Sequence, residues 1–169
     1  MMSDNNLISL RIPTADGSFV ARYSKNGLAA LSFPAKSQRA AKCDNADAAP
    51  RVAAWHQLTV AAVKRVLAGR DPGRQPPLDL SAGTKFQRAV WRVMRKLPRG
   101  RMKSYGEVAA VIGRPRAVRA VGSACGANPI PLLVPCHRIL AAGGKLGGFG
   151  GGVDWKRRLL DREGVLVVS

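Results

Sequence analysis

Acidic residues, cysteines and long apolar runs are all scarce in this chain of 169 residues. Ten Asp and Glu stand against 28 Lys and Arg, which leaves a formal net charge of +18. Three cysteines are too few and too scattered for a disulfide framework, so at least one thiol is free. No run of 18 apolar residues and no signal-like N-terminus is present, and we expect a cytoplasmic protein without a membrane partner.

The excess of positive charge predicts a polyanionic partner, because Lys and Arg that neutralise phosphates release condensed counterions. DNA, RNA and an anionic membrane fit the charge equally well. A general bias toward Arg that only keeps the protein in solution would also produce it. Hydrophobic residues make up 46% of the chain, which is enough to build a core, so we expect a globular protein.

The first half of the sequence predicts a small sheet and a helix. Residues 18–33 alternate apolar and polar side chains on both sides of Asn26-Gly27, a pair typical of a tight hairpin turn. Residues 36–50 lack periodicity and predict an exposed connection. Before a stop signal at Gly69, apolar residues recur at helical spacing: Val52, Trp55, Ala62, Val63 and Val66.

The second half predicts several short helices behind a linker. Residues 70–81 are rich in proline, and we place a domain boundary there. Two capping boxes, each predicting a helix start, are Thr84 with Gln87 and Ser104 with Glu107. We therefore expect an α/β (α+β) fold, in which a small N-terminal domain of sheet and helix precedes a mainly helical C-terminal domain.

A third C-terminal helix is expected after Gly113, with Pro115 in its first turn and Val118 and Val121 directed inward. Two short helices across a glycine turn resemble a helix-turn-helix. The opposite face of the third helix carries basic residues beside small ones that would let a groove approach closely: Arg116, Arg119, Ala120 and Ser123. An ordinary helical hairpin with a solvated basic face fits the same pattern.

An apolar run ends in a cysteine beside a histidine in residues 128–139, NPIPLLVPCHRI. A thiol is a weak nucleophile until it ionises, and a neighbouring base and positive surroundings lower its pKa from about 8.5. Adjacent residues on an extended chain point to opposite faces, so His137 would reach Cys136 only through a water or a local turn. The dipeptide alone favours a buried structural cysteine over a nucleophile.

Four motifs reverse that preference. PCHRI, the preceding RAVGSACGANPIP, the earlier SYGEVA and the later GGFGGG resemble, in order and spacing, the O6-alkylguanine-DNA alkyltransferases across residues 86–164. The resemblance implies a ribonuclease H-like α/β domain with linker over residues 1–80. It implies a winged-helix-like DNA-binding and alkyltransferase domain with a helix-turn-helix over residues 81–169.

The chemistry implied by the resemblance is irreversible transfer of an alkyl group from O6-alkylguanine in double-stranded DNA to Cys136. Each molecule would react once, and no cofactor would be needed. His137 would deprotonate Cys136 through a bridging water, Glu163 would orient His137, and Asn128 would be a hinge between the third helix and the cysteine loop. Without the family, Glu163 reads as a surface carboxylate near a helix end.

The resemblance also implies how DNA would be handled. The target base would be flipped out of the stack from the minor groove, Arg119 would take its place, and the Tyr105 hydroxyl would contact the extruded guanine. The remaining DNA-binding residues would be Arg116, Ala120 and Ser123, and the base pocket would comprise Tyr105, Ile139, Phe149 and Gly150. Without the family, Tyr105 reads as a core aromatic and residues 147–152 as a flexible loop.

Several questions stay open at this stage. A lesion sensor without chemistry and a helix-turn-helix regulator are the alternatives, although sensors of this kind lack the cysteine that this chain retains. We expect Cys125 to be inert, and we expect no zinc, because only Cys43 and His56 are available as ligands before the linker. We expect a monomer in solution. Cooperative binding to DNA, repair of O4-alkylthymine and the range of alkyl groups are left undecided.

Overall fold

The computed structural model describes residues 7–35 and 49–167, and its N-terminal part contains a three-stranded antiparallel sheet. The strands β1 (Ile8–Thr14), β2 (Gly17–Ser24) and β3 (Gly27–Ser32) have the same order in the sheet as in the chain. The predicted hairpin is confirmed, because β2 pairs with β3 up to the residues that flank the Asn26 turn. The connection expected over residues 36–50 lies, for residues 36–48, outside the described part of the chain.

The strand β1 was not predicted. Its residues alternate in burial, since Leu10 and Ile12 are in the core and Arg11 is exposed, and Asp16-Gly17 supplies turn residues before β2. The helix expected from the apolar spacing is confirmed as α1 (Pro50–Leu67), with Gly69 at φ +70° beyond its end. This helix contacts all three strands and buries its apolar stripe against them.

Two hydrogen bonds of His56, which is half-buried, join α1 to the sheet. His56 Nε2 donates to the carbonyl oxygen of Arg11 at 3.2 Å, because a carbonyl can only accept. His56 Nδ1 therefore accepts from the Tyr23 hydroxyl at 2.9 Å. Burial lowers the pKa of His56 below its ordinary 6.5, and its bond to Arg11 opposes this only in part.

The lowered pKa of His56 predicts how stability depends on pH. The folded-state pKa of His56 is lower than its unfolded value, so its contribution to stability is present above about pH 6.5 and is lost as the pH falls below that value. We expect the free energy of unfolding, measured by urea titration, to fall across this window. His56→Gln should show a shallower decline than the wild type, and equal slopes in both proteins would contradict the assignment.

The described C-terminal part contains four short α-helices: α2 (Lys85–Arg95), α3 (Tyr105–Val111), α4 (Val118–Gly126) and α5 (Val153–Arg162). Both capping boxes are confirmed. The side chains of Thr84 and Ser104 each accept from a backbone N–H three residues later, and their own backbone N–H groups donate to the side chains of Gln87 and Glu107. A parallel pair of two-residue strands, β4 (Lys103–Ser104) and β5 (Ile139–Leu140), holds the start of α3 beside the residues that follow Cys136.

The start of α4 corrects the sequence prediction. The helix begins at Val118, and Pro115 lies outside it in a turn that Ala117 N closes on Arg114 O at 2.9 Å. Proline has the φ that the second position of such a turn requires, which is why it serves the turn here and not the helix. Val118 was expected to face inward, but it is 40% exposed, whereas Val121 is buried as predicted.

The two halves of the chain share one hydrophobic core. Leu31 N of β3 donates to Pro129 O at 2.9 Å, which ties the sheet to the segment that leads to Cys136. An aromatic cluster continues the contact from the sheet to α5 and to the segment before it: Phe19, Phe33, Phe149 and Trp155. The sheet therefore supports one side of the segment that leads to Cys136. The predicted α+β class is confirmed.

No helix within the described ranges is both long and apolar enough to cross a bilayer. In those same ranges, no three His, Cys, Asp or Glu side chains come together in a way that could hold a metal ion. Cys43, which was considered with His56 as a zinc ligand, lies outside the described residues.

Candidate active site

Cys136 begins a single turn of 3-10 helix, residues 136–138, here called the Cys136 turn. A local turn, one of the two possibilities that the sequence left open, is therefore present at Cys136. Pro135 precedes the turn, Cys136 N donates to Val134 O at 2.8 Å, and Arg138 N donates to Pro135 O at 3.1 Å. Such a turn directs its three consecutive side chains to different sides of the chain, so they can meet different partners.

Asn128 connects the end of α4 to the bends and turns that lead to the Cys136 turn. Its Nδ2 donates to Val134 O at 2.7 Å, and its Oδ1 accepts from Ile130 N at 3.0 Å. Between these anchors the backbone takes a left-handed conformation at Leu132, with φ +72°, which is uncommon for a residue other than glycine. The Asn128 amide thus links the end of α4 to the segment before Cys136, and its role as a hinge stays a prediction.

Cys136 lines two cavities. One cavity, of ≈ 460 Å³, is lined by Tyr105 and by Gly122 of α4, the helix with the basic face. The other, of ≈ 440 Å³, extends toward the end of β3 and Pro131. Both cavities are lined by one common set of residues: Cys125, Gly126, Cys136, Phe149 and Gly150.

The surroundings of Cys136 affect its ionisation in opposite directions. The residue is 7% exposed, and burial raises the pKa of its thiol. The Asn128 amide and the Lys156 ammonium oppose this and lower the pKa. Cys125 differs: burial and the neighbouring Cys136 raise its pKa to about 12 against the effect of Lys156, and its sulfur lies 3.6 Å from that of Met94.

His137 is fully buried behind Cys136. Its Nε2 lies 2.8 Å from Glu163 Oε1 and must donate, because a carboxylate only accepts. Its Nδ1 is buried and has no hydrogen-bond partner among the described residues. Burial lowers the pKa of His137 despite the nearby Glu163, so the imidazole is neutral at pH 7 and Nδ1 is its basic nitrogen.

Glu163 is held by more donors than the sequence indicated. Arg138 donates from Nε and Nη2 to its carboxylate, at 2.8 to 3.1 Å, and Gly100 N donates to Oε2 at 3.1 Å. Arg138 Nη1 also donates to Leu97 O at 2.6 Å. Burial alone would raise the pKa of Glu163, but the bonds from His137 and Arg138 lower it to about 2. The carboxylate is therefore ionised whenever His137 could act as a base.

Sequence reasoning missed two buried cations of this site, Arg138 and Lys156, which are 4% and 1% exposed. Arg and Lys usually lie at the surface, so their burial has no signature in a single sequence. The only available signals were indirect: Arg138 stands inside the PCHRI motif, and Lys156 follows Trp155 on what becomes the inner face of α5.

The predicted DNA-contacting residues of α4 are placed together. Arg116 precedes the helix, and Arg119, Ala120 and Ser123 are exposed on the helix itself. Of the residues predicted for the base pocket, Tyr105, Phe149 and Gly150 line the cavity beside α4. Ile139 lines neither cavity; its side chain is fully buried, and its backbone belongs to β5.

The segment of residues 147–152, here called the glycine segment, closes over the cavities. At Gly147, with φ +68°, a Cβ atom would lie 3.0 Å from the Tyr105 hydroxyl oxygen. At Gly151, a Cβ atom would lie 2.7 Å from the Phe33 ring. Glycine is therefore required at both places for close approach, which a flexible loop would not need.

The fold and the site together define an α+β protein with a buried Cys-His-Glu arrangement beside a pair of short helices. Residues 85–165 match the family model described as 6-O-methylguanine DNA methyltransferase, DNA binding domain. The chain is 56% identical over 86 residues, 51% of its length, to the methylated-DNA–protein-cysteine methyltransferase of Mycolicibacterium paratuberculosis. It is 51% identical over 88 residues, 52% of its length, to the protein of that name from Salmonella typhimurium.

Both matched segments span 52% of the relative, so the chain spans about half the length of the curated relatives it matches. The crystal structure of Mycobacterium tuberculosis OGT in complex with DNA is similar over 90% of both chains, with a TM-score of 0.74 and 36% identity. The chain belongs to the 6-O-methylguanine DNA methyltransferase family.

Proposed function

We propose that this protein repairs DNA by transferring the alkyl group of O6-alkylguanine to Cys136, once per molecule and irreversibly. The observation that carries the proposal is that Cys136 lines both cavities and is followed by a neutral His137, whose Nε2 donates to Glu163. A buried carboxylate that fixes the tautomer of an imidazole beside a nucleophile is the arrangement that activates cysteine and serine in hydrolases.

In the proposed reaction, the thiol proton passes to Nδ1 of His137 through a bridging water. The sulfur then attacks the alkyl carbon: the S–C bond forms, the C–O6 bond breaks, and its electron pair stays on guanine. The proton ends on guanine, so the reaction needs no further reactant. Contact between the Tyr105 hydroxyl and the extruded base is part of the proposal, and the position of Tyr105 in the lining of the cavity beside α4 supports it.

Double-stranded DNA is the partner that the charge and the surface of α4 support. The net charge is +18, Arg119 is exposed on α4 with Ala120 and Ser123, and Arg116 is exposed in the turn before that helix. A relative with 36% identity over 90% of both chains has been crystallised in complex with DNA. A sensor without chemistry would not need the thiol, and a sequence-specific regulator would protect one duplex sequence in a footprinting experiment.

The experiment that tests the proposal compares duplex DNA containing O6-methylguanine with the free base, by intact-mass measurement over time. The wild type should gain one methyl group from either source. Arg119→Ala should transfer at least about tenfold more slowly from the duplex, because flipping costs a few kcal/mol and each 1.4 kcal/mol is a factor of ten. Its rate with the free base should not change, since no base is extruded.

The matched control is Arg157→Ala, which removes an exposed arginine of α5. It should leave both rates close to those of the wild type. A wild-type protein that gains no mass from methylated duplex contradicts alkyl transfer itself. Equal losses on duplex and free base in Arg119→Ala contradict only the role of Arg119.

A further inference from the structure

Lys156 is a buried ammonium group without an acidic partner. The residue is 1% exposed, and its Nζ donates to two backbone carbonyl oxygens, that of Ile139 at 2.6 Å and that of Leu146. Within the described ranges, no carboxylate lies within ion-pair distance of it. Buried charges in proteins are normally paired, so an unpaired ammonium next to a reactive site requires a physical reason.

The two carbonyl groups belong to residues that adjoin two different segments of the site. Ile139 follows the Cys136 turn directly, and its N–H donates to the Cys136 carbonyl oxygen. Leu146 immediately precedes the glycine segment, whose Phe149 and Gly150 line both cavities. One ammonium group therefore holds the Cys136 turn and the glycine segment at a set separation.

The other ionisable groups around the thiol do not replace this charge. His137, in the same turn, is neutral, and Arg138 is already paired with Glu163. Cys125 of α4 and Tyr105 of α3 face the thiol, and each could only add negative charge. The positive charge of Lys156 thus has no anion beside it until Cys136 ionises.

We infer that Lys156 is a positioning residue for the alkyl transfer: its ammonium clamps the Cys136 turn to the glycine segment, and its positive charge stabilises the Cys136 thiolate. This inference rests on the proposed function. The electrostatic effects are reciprocal, as such a pair requires: the ammonium lowers the pKa of Cys136, and the thiolate raises that of Lys156 against the effect of burial.

The test measures the rate of Cys136 modification by iodoacetamide against pH, with peptide mapping to separate Cys136 from the other thiols. Lys156→Met should move the midpoint of this profile upward by at least about 1 pH unit, since an opposite charge nearby shifts a pKa by 1 to 3 units. Lys156→Arg keeps the cation and should keep the midpoint near that of the wild type. Arg157→Met, at an exposed neighbour on α5, is the matched control.

A clamp without an electrostatic role would slow the reaction equally at every pH and leave the midpoint unchanged, and that result would overturn the inference. If Lys156→Met does not fold, Lys156→Gln retains hydrogen-bond donors without the charge and must show the raised midpoint. The measurement uses no DNA. A wild type that takes no methyl group from methylated duplex would overturn the proposed function, while the midpoints still decide the role of Lys156.

Discussion

Replacing Cys136 by serine should lower methyl transfer from O6-methylguanine duplex by at least about a thousandfold. A serine hydroxyl does not ionise at neutral pH, and removal of a nucleophile commonly costs more than this. The imidazole of His137 and its bond to Glu163 would remain, so the loss would come from the sulfur alone. Intact-mass spectrometry over hours would record the transfer, and DNA binding measured in parallel should not change.

Cys125→Ser is the matched control for this experiment. Cys125 lines both cavities beside Cys136, but burial and the neighbouring thiol raise its pKa to about 12, so it stays protonated at neutral pH. The variant should transfer at a rate of the same order as the wild type. If Cys136→Ser still gained a methyl group, or if Cys125→Ser gained none, Cys136 would not be the acceptor.

Arg138→Met should lower the free energy of unfolding by about 3 to 5 kcal/mol, the usual cost of leaving one member of a buried ion pair without its partner. The substitution removes the donors that Arg138 provides to the Glu163 carboxylate and leaves Leu97 O without its bond. Glu163 is 8% exposed, so water cannot replace these donors readily. Urea unfolding followed by circular dichroism would measure the change.

Arg162→Met, at the last residue of α5 and next to Glu163 in the chain, is the comparison. Arg162 makes a two-pronged pair with Asp16, but its side chain is 31% exposed, so its loss should cost about 1 kcal/mol or less. In the double variant Arg138→Met with Glu163→Gln, part of the lost stability should return, because no uncompensated buried charge remains. Equal losses in Arg138→Met and Arg162→Met would show that the buried pair has no special weight.

Local signals in the sequence were sufficient for much of the secondary structure. Asn26-Gly27 and the two capping boxes act through bonds between residues at most three positions apart, so the sequence contains all the groups involved. The strand β1 carried a similar alternation and could have been recognised. The start of α4 was misplaced because proline suits both a first helical turn and the second position of a β-turn, and its neighbours did not decide between them.

The assignment of site roles depended on the resemblance, since Cys136, His137 and Glu163 are unremarkable as isolated residues. Their roles, like those of Arg119 and Tyr105, remain predictions for the experiments above. Placement is a different matter: the structure puts Tyr105, Phe149 and Gly150 on one cavity with Cys136, and it leaves Ile139 out of that lining. The side-chain direction of a two-residue strand cannot be read from so short a pattern.

By itself, the sequence determined the charge, the family motifs, the hairpin and the capped helices, because composition and short-range bonding are properties of neighbouring residues. Only the tertiary structure decided that Arg138 and Lys156 are buried, that Glu163 is shared between His137 and Arg138, and that Cys136 lines two cavities. These features join groups that lie at least 10 positions apart in the sequence. Their desolvation and pairing exist only once α5, the Cys136 turn and the sheet are packed together.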